Sequence, residues 1–546
     1  MSGVTGGIGN RRLLARASWE RRSRAAEPGW QTEEMIGSQV EREDKFDVEA
    51  DFVVPDVTAL LPPGATVRSR TEKLRSHYFD TADLDLLAAE MTLRRRTGST
   101  DAGWQLKVPH KPAREEIRLP DQGRAGVAKK GGGRGGRARS PSGGGGQRGS
   151  VPDELARLLL GVTRGRPLEP VAVVTTERSV HRLLDADKNL LAEIDDDNVH
   201  ASVGGEAATA ISWREVEVEL GHGNEQLLAA IGKRLRRAGA RPAAAASKLA
   251  RVLGTAAVEE PTGTPVGGAA GPVLAYLAEQ RRVMVAGDLA LRRDQAEVIH
   301  KTRVAARRLR STLRTFQRLF EEDGAADLEA ELRWYAGLLG EVRDRQVLRA
   351  RLEGLLDELP EEMVLGPVRA RIDTELGKEQ TEHWKRLQSE LVGQRYLALL
   401  DALAAWVSQP PLTDEADKPV TVLPKLAGRA NRKVSRRLQR ATASGNVELL
   451  HSARKAAKRA RYAAELIEPV AGKKKSQKLA ARYERLQNLL GEHQDSLVSA
   501  DVLRRLGAKA GTTRGENGFT FGILYERELH CALAVREDAR REATRH

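Results

Sequence analysis

The stretch HKTRVAARRLR, residues 300–310, returns 151 residues later as HSARKAAKRAR, residues 451–461. The two copies align without a gap, and LGEVRDRQV (339–347) recurs as LGEHQDSLV (490–498) at the same spacing. Two separate motifs that recur at one offset indicate an internal duplication. We therefore predict that the C-terminal part of the chain folds as two related halves.

The basic residues of each copy recur at helical spacing and fall within an arc of roughly 160°, so they lie on one side of a helix. Like charges this close destabilise a helix unless an anion neutralises them. We predict that the two faces meet across a pseudo-two-fold axis and bind an anion, and that Asp344 and Asp495 fix basic side chains by ion pairing. The matched residues are His300, Arg303, Arg307, Arg308 and Arg310 in the first copy and His451, Arg454, Lys458, Arg459 and Arg461 in the second.

The composition favours anionic partners. The chain has 546 residues, enough for two or three domains, with 40% hydrophobic residues, 4% aromatic residues and a net charge of +14. The single cysteine, Cys531, excludes disulfides and thiolate metal sites and fits a reducing compartment. An apolar run of about 18 residues is absent, as is a signal-peptide core. We therefore expect a cytoplasmic protein without a membrane span.

The hydrophobic periodicity changes along the chain and sets the predicted domain boundaries. A period of two over the first half is typical of strands, and a period of 3.6 after it is typical of eight to ten helices. Whether translation starts at Met1 or at Met35 stays open. The predicted parts are a disordered basic tail (1–37), a strand domain (38–254) with a Gly-rich insertion (123–150), a linker (255–272) and an all-helical domain (273–546).

Short strands with turn residues between them suggest an antiparallel barrel. Their polar side is charged, so it is either a solvated outer face or the lining of a tunnel. Same-face charges occur in seven stretches, because residues two apart in a strand point the same way. Basic groups hold phosphate oxygens, and carboxylates hold hard cations such as Mg²⁺. These residues are Glu41, Glu43, Lys45, Arg94, Arg96, Lys107, Arg114, Arg178, Glu193, Asp195, Glu215, Glu217, Glu219 and Lys248.

The order of these motifs resembles the CYTH family, the triphosphate tunnel metalloenzymes. EREDK at 41–45 is similar to the E-x-E-x-K signature of the family, and EVEVEL at 215–220 follows in the expected order. The resemblance implies an eight-stranded antiparallel barrel whose tunnel binds a triphosphate and Mg²⁺ or Mn²⁺. It implies catalytic roles for Glu41, Glu43 and Lys45.

The same resemblance assigns binding roles to the remaining charged residues. The implied metal ligands are Glu41, Glu43, Glu215 and Glu217, with Asp195 and Glu219 as second choices and Asp196 or Asp197 as replacements if the strand register shifts. The implied phosphate ligands are Lys45, Arg94, Arg96, Lys107, Arg114, Arg178 and Lys248.

The duplicated motif H-x-x-R-x-x-x-[RK]-R-x-R resembles the CHAD family over about residues 273–540. That resemblance implies a helical domain with internal two-fold symmetry that binds inorganic polyphosphate through the ten basic residues of the two copies. The fold expected for the whole chain is therefore an α+β multidomain protein, in which a barrel is followed by a duplicated helical bundle.

The function expected from these patterns is metal-dependent hydrolysis of inorganic triphosphate or a related short chain. Three alternatives stay open: an inactive polyphosphate-binding scaffold, adenylate cyclase chemistry, and nucleic-acid binding through the arginine helices. Nucleic acid is the less favoured partner, because the sequence lacks a helix-turn-helix, zinc or aromatic platform signal. No obligate protein partner is expected.

Overall fold

A computed structural model describes residues 37–99, 102–110, 113–120, 150–203, 210–254 and 267–544. The predicted tail lies outside the described residues, as do nearly all of the Gly-rich insertion and most of the linker. The described residues form two compact units. The sheet unit contains residues 37–79, 90–120 and 170–254, and the helical unit contains residues 80–89, 150–169 and 267–544.

The sheet unit is built on one curled antiparallel sheet of ten strands, in the order β1-β6-β5-β4-β3-β7-β8-β9-β2-β10. Its strands are rich in β-branched residues that alternate with charged ones, as expected for a sheet with two different faces. The strands are β1 (Gly37–Glu41), β2 (Glu43–Val48), β3 (Thr66–Asp80), β4 (Thr92–Thr97), β5 (Gly103–His110), β6 (Ala113–Pro120), β7 (Glu169–Leu184), β8 (Leu190–Val203), β9 (Ala210–Leu220) and β10 (Arg241–Pro242).

The predicted count of eight strands is not matched. The first predicted strand is interrupted at Arg42 and counts as two, and the two-residue strand β10 adds another. The interruption has a topological role, because β1 pairs with β6 while β2 pairs with β9. One continuous segment of chain thus joins the two ends of the curled sheet.

The apolar face of the sheet points away from its charged face. Phe46, Val216 and Ile194 alternate with charged neighbours and pack against Ile231 and Leu235 of the helix α3 (Glu225–Arg237). All five side chains are at most 2% exposed. Because this helix covers the apolar side, the charged side chains of the same strands lie on the concave side of the sheet.

Two capped helices complete this unit. Helix α3 begins after Asn224, whose side chain accepts a hydrogen bond from the Leu227 backbone N–H at 2.9 Å. Helix α4 (Lys248–Leu253) begins after Ser247, which accepts from the Ala250 N–H at 3.1 Å. Such N-caps stabilise a helix start by about 1 kcal/mol. The second cap fixes Lys248 in the first turn of α4.

The helical unit contains the remaining helices among the described residues, and their number after residue 267 agrees with the predicted eight to ten. They are α1 (Asp85–Ala88), α2 (Asp153–Thr163), α5 (Ala270–Arg292), α6 (Ile299–Thr315), α7 (Glu322–Asp357), α8 (Val368–Leu391), α9 (Gln394–Ser408), α10 (Leu423–Ser444), α11 (Val447–Leu466), α12 (Glu468–Ala471), α13 (Lys473–Gly511) and α14 (Phe519–Thr544). None of these helices, or of the others in the described part of the chain, combines the length and the apolarity needed to cross a bilayer.

The predicted duplication is present in the helix boundaries. A shift of 151 residues carries α5, α6, α7 and α8 onto α10, α11, α13 and α14, with ends that differ by a few residues. Helix α9 lies between the two sets of four. The repeated helices α6 and α11 pack against each other, so the two basic motifs are neighbours.

Candidate active site and basic clusters

The concave side of the sheet encloses a cavity of about 360 Å³ whose lining is almost entirely charged. Strands from around the curl contribute to it, together with the start of α4. The cavity brings together most of the charged residues that the sequence singled out: Glu41, Glu43, Lys45, Arg94, Arg96, Lys107, Arg114, Arg178, Glu193, Glu217, Glu219 and Lys248. Of the two interpretations of the charged strand faces, the structure therefore supports an interior lining and not a solvated outer face.

Strand register explains how these charges meet. Glu217 on β9 lies opposite Lys45 on β2 and opposite Asp195 on β8. Arg178 on β7 lies opposite Asp197. Directly opposed side chains on one face of an antiparallel pair are within reach of each other.

Arg178 and Lys248 neutralise the carboxylates at one part of the cavity wall. The Arg178 guanidinium donates two hydrogen bonds of 2.7 Å to Asp197 and one of 3.1 Å to Glu217, and it also pairs with Asp195. The Lys248 Nζ lies 2.9 Å from Asp197 and 3.1 Å from Glu217. These cations hold the pKa of Glu217 well below its usual range despite burial.

Lys107, Lys45 and Arg94 form a second group of cations. Lys107 Nζ is 2.7 Å from Glu41 Oε2, and Lys45 Nζ is 3.1 Å from Glu43 Oε2. Burial opposes ionisation of Glu43, but Lys107 and Lys45 together lower its pKa. Lys45 also pairs with Glu217, so the signature lysine links both groups.

Three sets of carboxylates have ligand atoms within 4.8 Å of one another. Glu219 belongs to two of them, whereas the third, built on Asp197 and Glu215, already holds Lys248. In the part of the chain that the structure describes, Glu219 has no ion pair within 4.0 Å. The sets are Glu41–Glu43–Glu219, Asp195–Glu217–Glu219 and Asp197–Glu215–Glu217.

Several buried carboxylates lie around Glu219. Burial, with Glu219 among the lesser causes, raises the pKa of Glu41 to about 7 and the pKa of Asp195 well above its usual range. Burial and Glu219 raise the pKa of Glu193 as well. Asp195 Oδ1 is a buried oxygen without a hydrogen bond in the described structure. An oxygen-rich site of this kind fits a hard divalent cation.

The predicted residues fall into distinct positions. Asp195 and Asp197 share the cavity face of β8, while Asp196 points the other way and binds Arg214 at 2.7 Å. Glu215 does not line the cavity and is held by Lys248 at 2.5 Å and by the Trp213 Nε1 donor at 2.6 Å. Among the first-choice predicted metal ligands, Glu215 is thus the one that does not line the cavity.

Several cavity residues were not predicted, and three of them belong to one strand. Strand β3 contributes Arg70, Glu72 and Tyr78, and the Tyr78 hydroxyl accepts a hydrogen bond from Arg94 at 3.3 Å. Arg118 on β6 lies 3.5 Å from Glu41 at the cavity edge. A period-two alternation begins only at Leu74 in TVRSRTEKLRSHYFD, and it was the available signal.

In the helical unit, α6 and α11 bring four cations into one group, here called the central cluster: Arg303, Arg307, Arg454 and Lys458. Burial first, and then the three arginines, lower the pKa of Lys458 to about 6. Burial also lowers the pKa of Arg307. A cluster that suppresses the charge of its own lysine is one that a bound anion would stabilise.

The two halves hold the central arginines in the same way. Arg303 Nη1 lies 2.8 Å from Asp344, and its equivalent Arg454 Nη1 lies 3.5 Å from Asp495. The glycine of each Leu-Gly pair leaves room for the guanidinium, because a Cβ on Gly340 would come 3.0 Å from Arg303 Nη2 and one on Gly491 equally close to Arg454 Nη2. The predicted ion pairs of Asp344 and Asp495 are therefore present.

The other predicted arginines point away from the central cluster, whereas His451 lies near Arg454 and Lys458. Arg308 binds Glu465 at 2.8 Å, Arg310 binds Glu329 at 2.9 Å, and Arg461 binds Glu465 and Glu484. Arg459 faces α10, where burial and nearby arginines lower its pKa to about 10. His300 is exposed and His451 is half-buried.

Comparison with known proteins gives the class of both units. The CYTH domain family matches residues 65–252, and the CHAD domain family matches residues 275–504. Two uncharacterized proteins of Mycobacterium tuberculosis, MT2285 of strain CDC 1551 and Rv2226 of strain H37Rv, are each 36% identical over 522 residues, which is 91% of this chain and 94% of the relative. The chain belongs to the proteins that join a CYTH domain to a CHAD domain. Its CYTH domain places it among the triphosphate tunnel metalloenzymes, which are metal-dependent.

Several solved structures match part of the chain. PptA from Streptomyces chartreusis is 22% identical with a TM-score of 0.44 and covers 51% of this chain and 100% of its own. The CHAD domain from Ricinus communis is 22% identical with a TM-score of 0.41 and covers 50% of this chain and 92% of its own. A Hippeastrum protein described as having a dominant triphosphatase activity is 16% identical with a TM-score of 0.22 and covers 39% of this chain and 95% of its own.

Proposed function

We propose that the sheet unit hydrolyses inorganic triphosphate or a similar short phosphate chain with Mg²⁺ or Mn²⁺, and that the helical unit binds inorganic polyphosphate. One observation carries the first half of the proposal. A cavity of about 360 Å³ presents cations and carboxylates on interleaved strands, and Glu219, which two of the carboxylate sets share, has no ion pair within 4.0 Å among the described residues. A triphosphate and a divalent cation would together balance this lining.

The cations would hold the phosphate oxygens. Arg94 and Arg178 offer planar guanidinium groups, and Lys45, Lys107 and Lys248 add point charges from other parts of the wall. All of them now bind carboxylates or neutral oxygens within the cavity. Substrate binding would therefore replace these internal contacts with contacts to phosphate. The carboxylates released in this way would then be able to bind a metal ion.

Glu219, Glu41 and Glu43 on one side and Asp195 and Glu217 on the other would hold the divalent cation. When bound, such a cation neutralises phosphate charge and lowers the pKa of a coordinated water. Burial raises the pKa of Glu41 to about 7 in the metal-free protein, and a bound cation would lower it, so that Glu41 would be ionised and able to accept a proton. In the proposed reaction a water oxygen bonds to the terminal phosphorus, the bridging P–O bond breaks, and Glu41 accepts the proton of the water.

The test is phosphate release by the full chain from inorganic triphosphate, ATP, thiamine triphosphate and long polyphosphate, each with Mg²⁺, Mn²⁺ or EDTA. A Glu43→Gln/Glu219→Gln variant should lose most of the release, while Glu177→Gln, a carboxylate outside the cavity lining, serves as the control. Release that survives EDTA and the double substitution would refute the proposal. Cyclic AMP formation from ATP would instead indicate cyclase chemistry, and absent turnover with retained polyphosphate binding would indicate a scaffold.

The second half of the proposal rests on the central cluster of the helical unit. Arg303, Arg307, Arg454 and Lys458 lie together at the meeting of the two repeated helices, and burial lowers the pKa of Lys458 to about 6. A linear polyanion supplies several phosphates at the spacing of neighbouring side chains and so can neutralise the cluster as a whole. Phosphate recognition of this kind depends on charge and on the arginine geometry, not on bases.

Binding of long polyphosphate to the full chain, measured by calorimetry at physiological salt, tests this half. An Arg303→Gln/Arg454→Gln variant should weaken binding by at least about tenfold, because two charge-assisted contacts are lost. Arg505→Gln, an exposed arginine of α13, is the control. If duplex DNA at equal phosphate concentration binds as tightly, the site is a general polyanion surface. If the double variant also hydrolyses long polyphosphate more slowly than triphosphate relative to the wild type, the two units cooperate.

A further inference from the structure

The helical unit has a second basic site that the duplication does not explain. A cavity of about 210 Å³ lies where α10 and α11 meet the end of α6, and we call it the lateral pocket. Its floor is apolar, with Leu426, Ala430 and Ala456. Its polar lining contains five cations: Arg314, Arg318, Arg429, Lys433 and Arg459.

The pocket is short of negative charge. Glu329 binds Arg314 at 3.2 Å, but it also binds Arg310 and Arg333. Glu415 lies near Arg318 and Arg429 and pairs with Lys418. Burial first, and then the surrounding arginines, lower the pKa of Arg459 and of Lys433. The cations of the pocket therefore repel one another more than the two carboxylates compensate.

The equivalent place in the other half of the duplication is neutral. A shift of 151 residues takes Arg314 to Glu465, Arg318 to Pro469 and Arg459 to Arg308. Glu465 binds Arg308 at 2.8 Å. The equivalent of Arg429 is Ala278, and that of Lys433 is Arg282, which pairs with Glu279 at 3.0 Å. One half thus carries five cations where the other carries two cations, each of which pairs with a carboxylate.

The lateral pocket and the central cluster are continuous along one helix. Lys458 belongs to the central cluster and Arg459, the next residue of α11, lines the pocket. Successive residues of a helix point about 100° apart, so the two sites lie on adjacent sides of α11. A polyanion that leaves the central cluster along this side reaches the pocket, whereas on the other side it meets Glu465.

From this asymmetry we infer that the lateral pocket binds a phosphate segment of the same inorganic polyphosphate chain that the central cluster holds, so that the chain is bound in one direction across a nearly symmetric domain. This inference rests on polyphosphate being the ligand of the helical unit. In the inferred complex Arg314, Arg429, Lys433 and Arg459 bind phosphate oxygens, and none of these four residues belongs to the central cluster. The pocket also accounts for Arg459, which sequence symmetry alone would pair with the neutralised Arg308.

The test compares two variants of the full chain that lose the same charge from the same helix. Arg429→Gln/Lys433→Gln removes two cations of the pocket, and Lys425→Gln/Arg432→Gln removes two exposed cations of α10 outside its lining. A third variant, Arg282→Gln, changes the equivalent position of the other half. Affinity for long polyphosphate and for inorganic triphosphate is measured by calorimetry at several salt concentrations, with duplex DNA as the competing polyanion.

We expect the pocket variant to bind long polyphosphate about tenfold more weakly and with a shallower salt dependence, because fewer phosphates are contacted. The two control variants should stay within about twofold of the wild type. Equal weakening in the pocket variant and the α10 control would reduce the effect to net charge and overturn the inference. An unchanged pocket variant, with binding still lost in Arg303→Gln/Arg454→Gln, would overturn the inference while the proposed function stands. Absence of polyphosphate binding in the wild type, or a preference for DNA, would overturn both.

Discussion

Asp195 on β8 lies directly opposite Glu217 on β9, although both are carboxylates and are 1% and 5% exposed. Arg178 pairs with both of them, which makes this arrangement stable in the empty protein. The next residue along the same face of β9, Glu219, has no such partner within the described residues. The cavity therefore contains two opposed carboxylates, Asp195 and Glu217, that share Arg178, and a further carboxylate, Glu219, that has no ion pair within 4.0 Å among the described residues.

Glu219→Gln should weaken binding of the divalent cation and so reduce hydrolysis. The amide keeps the shape of the side chain but loses the charge that two carboxylate sets share. We expect at least about a 100-fold loss of triphosphate hydrolysis, comparable to the loss of one preorganised electrostatic contact. The accompanying loss of Mn²⁺ binding, followed by calorimetry, separates this effect from misfolding. Normal Mn²⁺ affinity in the variant would place the metal elsewhere.

The cavity carboxyl groups with raised pKa values should contribute less to the stability of the metal-free protein as the pH rises toward 7. Glu41 titrates near its ordinary value of 4.5 in the unfolded chain but at about 7 in the folded protein, so between these values the folded state binds more protons. Asp195 and Glu193 contribute with the same sign, because burial raises the pKa of each. A divalent cation should remove the effect by favouring the ionised forms.

Thermal unfolding from about pH 5 to pH 8 measures this linkage. With EDTA the Tm should decrease over this range more steeply than with Mg²⁺, and Glu41→Gln should reduce the difference between the two curves. Parallel curves with and without the metal would mean that these carboxylates are not its ligands.

Polyphosphate binding should take up a proton at Lys458. Its pKa is about 6 in the free protein, since it is buried and faces Arg303 and Arg307 of α6 and Arg454 of α11, with Asp495 of α13 as the opposing charge. A bound anion favours the charged form, so the affinity should decrease as the pH rises above about 6.

Calorimetry at about pH 7.5 in buffers of different ionisation enthalpy detects this proton, and His451, whose pKa is lowered by burial and by Lys455, contributes little there. Lys458→Arg should bind well without proton uptake, because an arginine is already charged. An affinity that is constant from about pH 6.5 to pH 8.5 would contradict the prediction.

Gly340→Ala should stabilise the protein and weaken polyphosphate binding at the same time. Replacing a glycine inside α7 with alanine favours the helix by up to about 1 kcal/mol. The added Cβ, however, comes 3.0 Å from Arg303 Nη2 and displaces that guanidinium from Asp344. We expect a higher Tm and a several-fold lower affinity.

Gly337→Ala, three residues earlier in the same helix, is the matched control because a Cβ there meets nothing within 4 Å. It should raise the Tm without changing the affinity. If both variants bind polyphosphate normally, the position of Arg303 over Gly340 does not matter for binding, and the role proposed for Arg303 in this position is contradicted.

Sequence pattern was sufficient for the duplication and for most of the charged lining. The offset between His300 and His451 predicted the repeated helices, whose boundaries the structure reproduces with the same shift. Alternation in EREDK and EVEVEL predicted that Glu43, Lys45 and Glu217 share a face, and all three line the cavity. Periodicity is reliable here because burial of one face fixes the register of every strand.

Periodicity could not show which partners each charged side chain would have. Strand β3 begins with a run of exposed charged residues, so its amphipathic signal is weak until Leu74, and Tyr78 was missed with it. Glu215, Glu217 and Glu219 are equivalent in the sequence pattern. Only their neighbours from other segments show that Lys248 holds Glu215 and that Glu219 has no ion pair within 4.0 Å among the described residues. Partners supplied by distant segments decide these roles, and one sequence does not contain them.

The break at Arg42 places Glu41 and Glu43 on the segment that joins the two ends of the curled sheet. Glu41 is hydrogen-bonded through β1 to the neighbour on one side, and Glu43 through β2 to the neighbour on the other. A ligand that draws these two side chains together therefore also holds the closure of the sheet. The proposed catalysis and the pairing of the two ends of the sheet therefore depend on the same short segment, so a substitution there would weaken both.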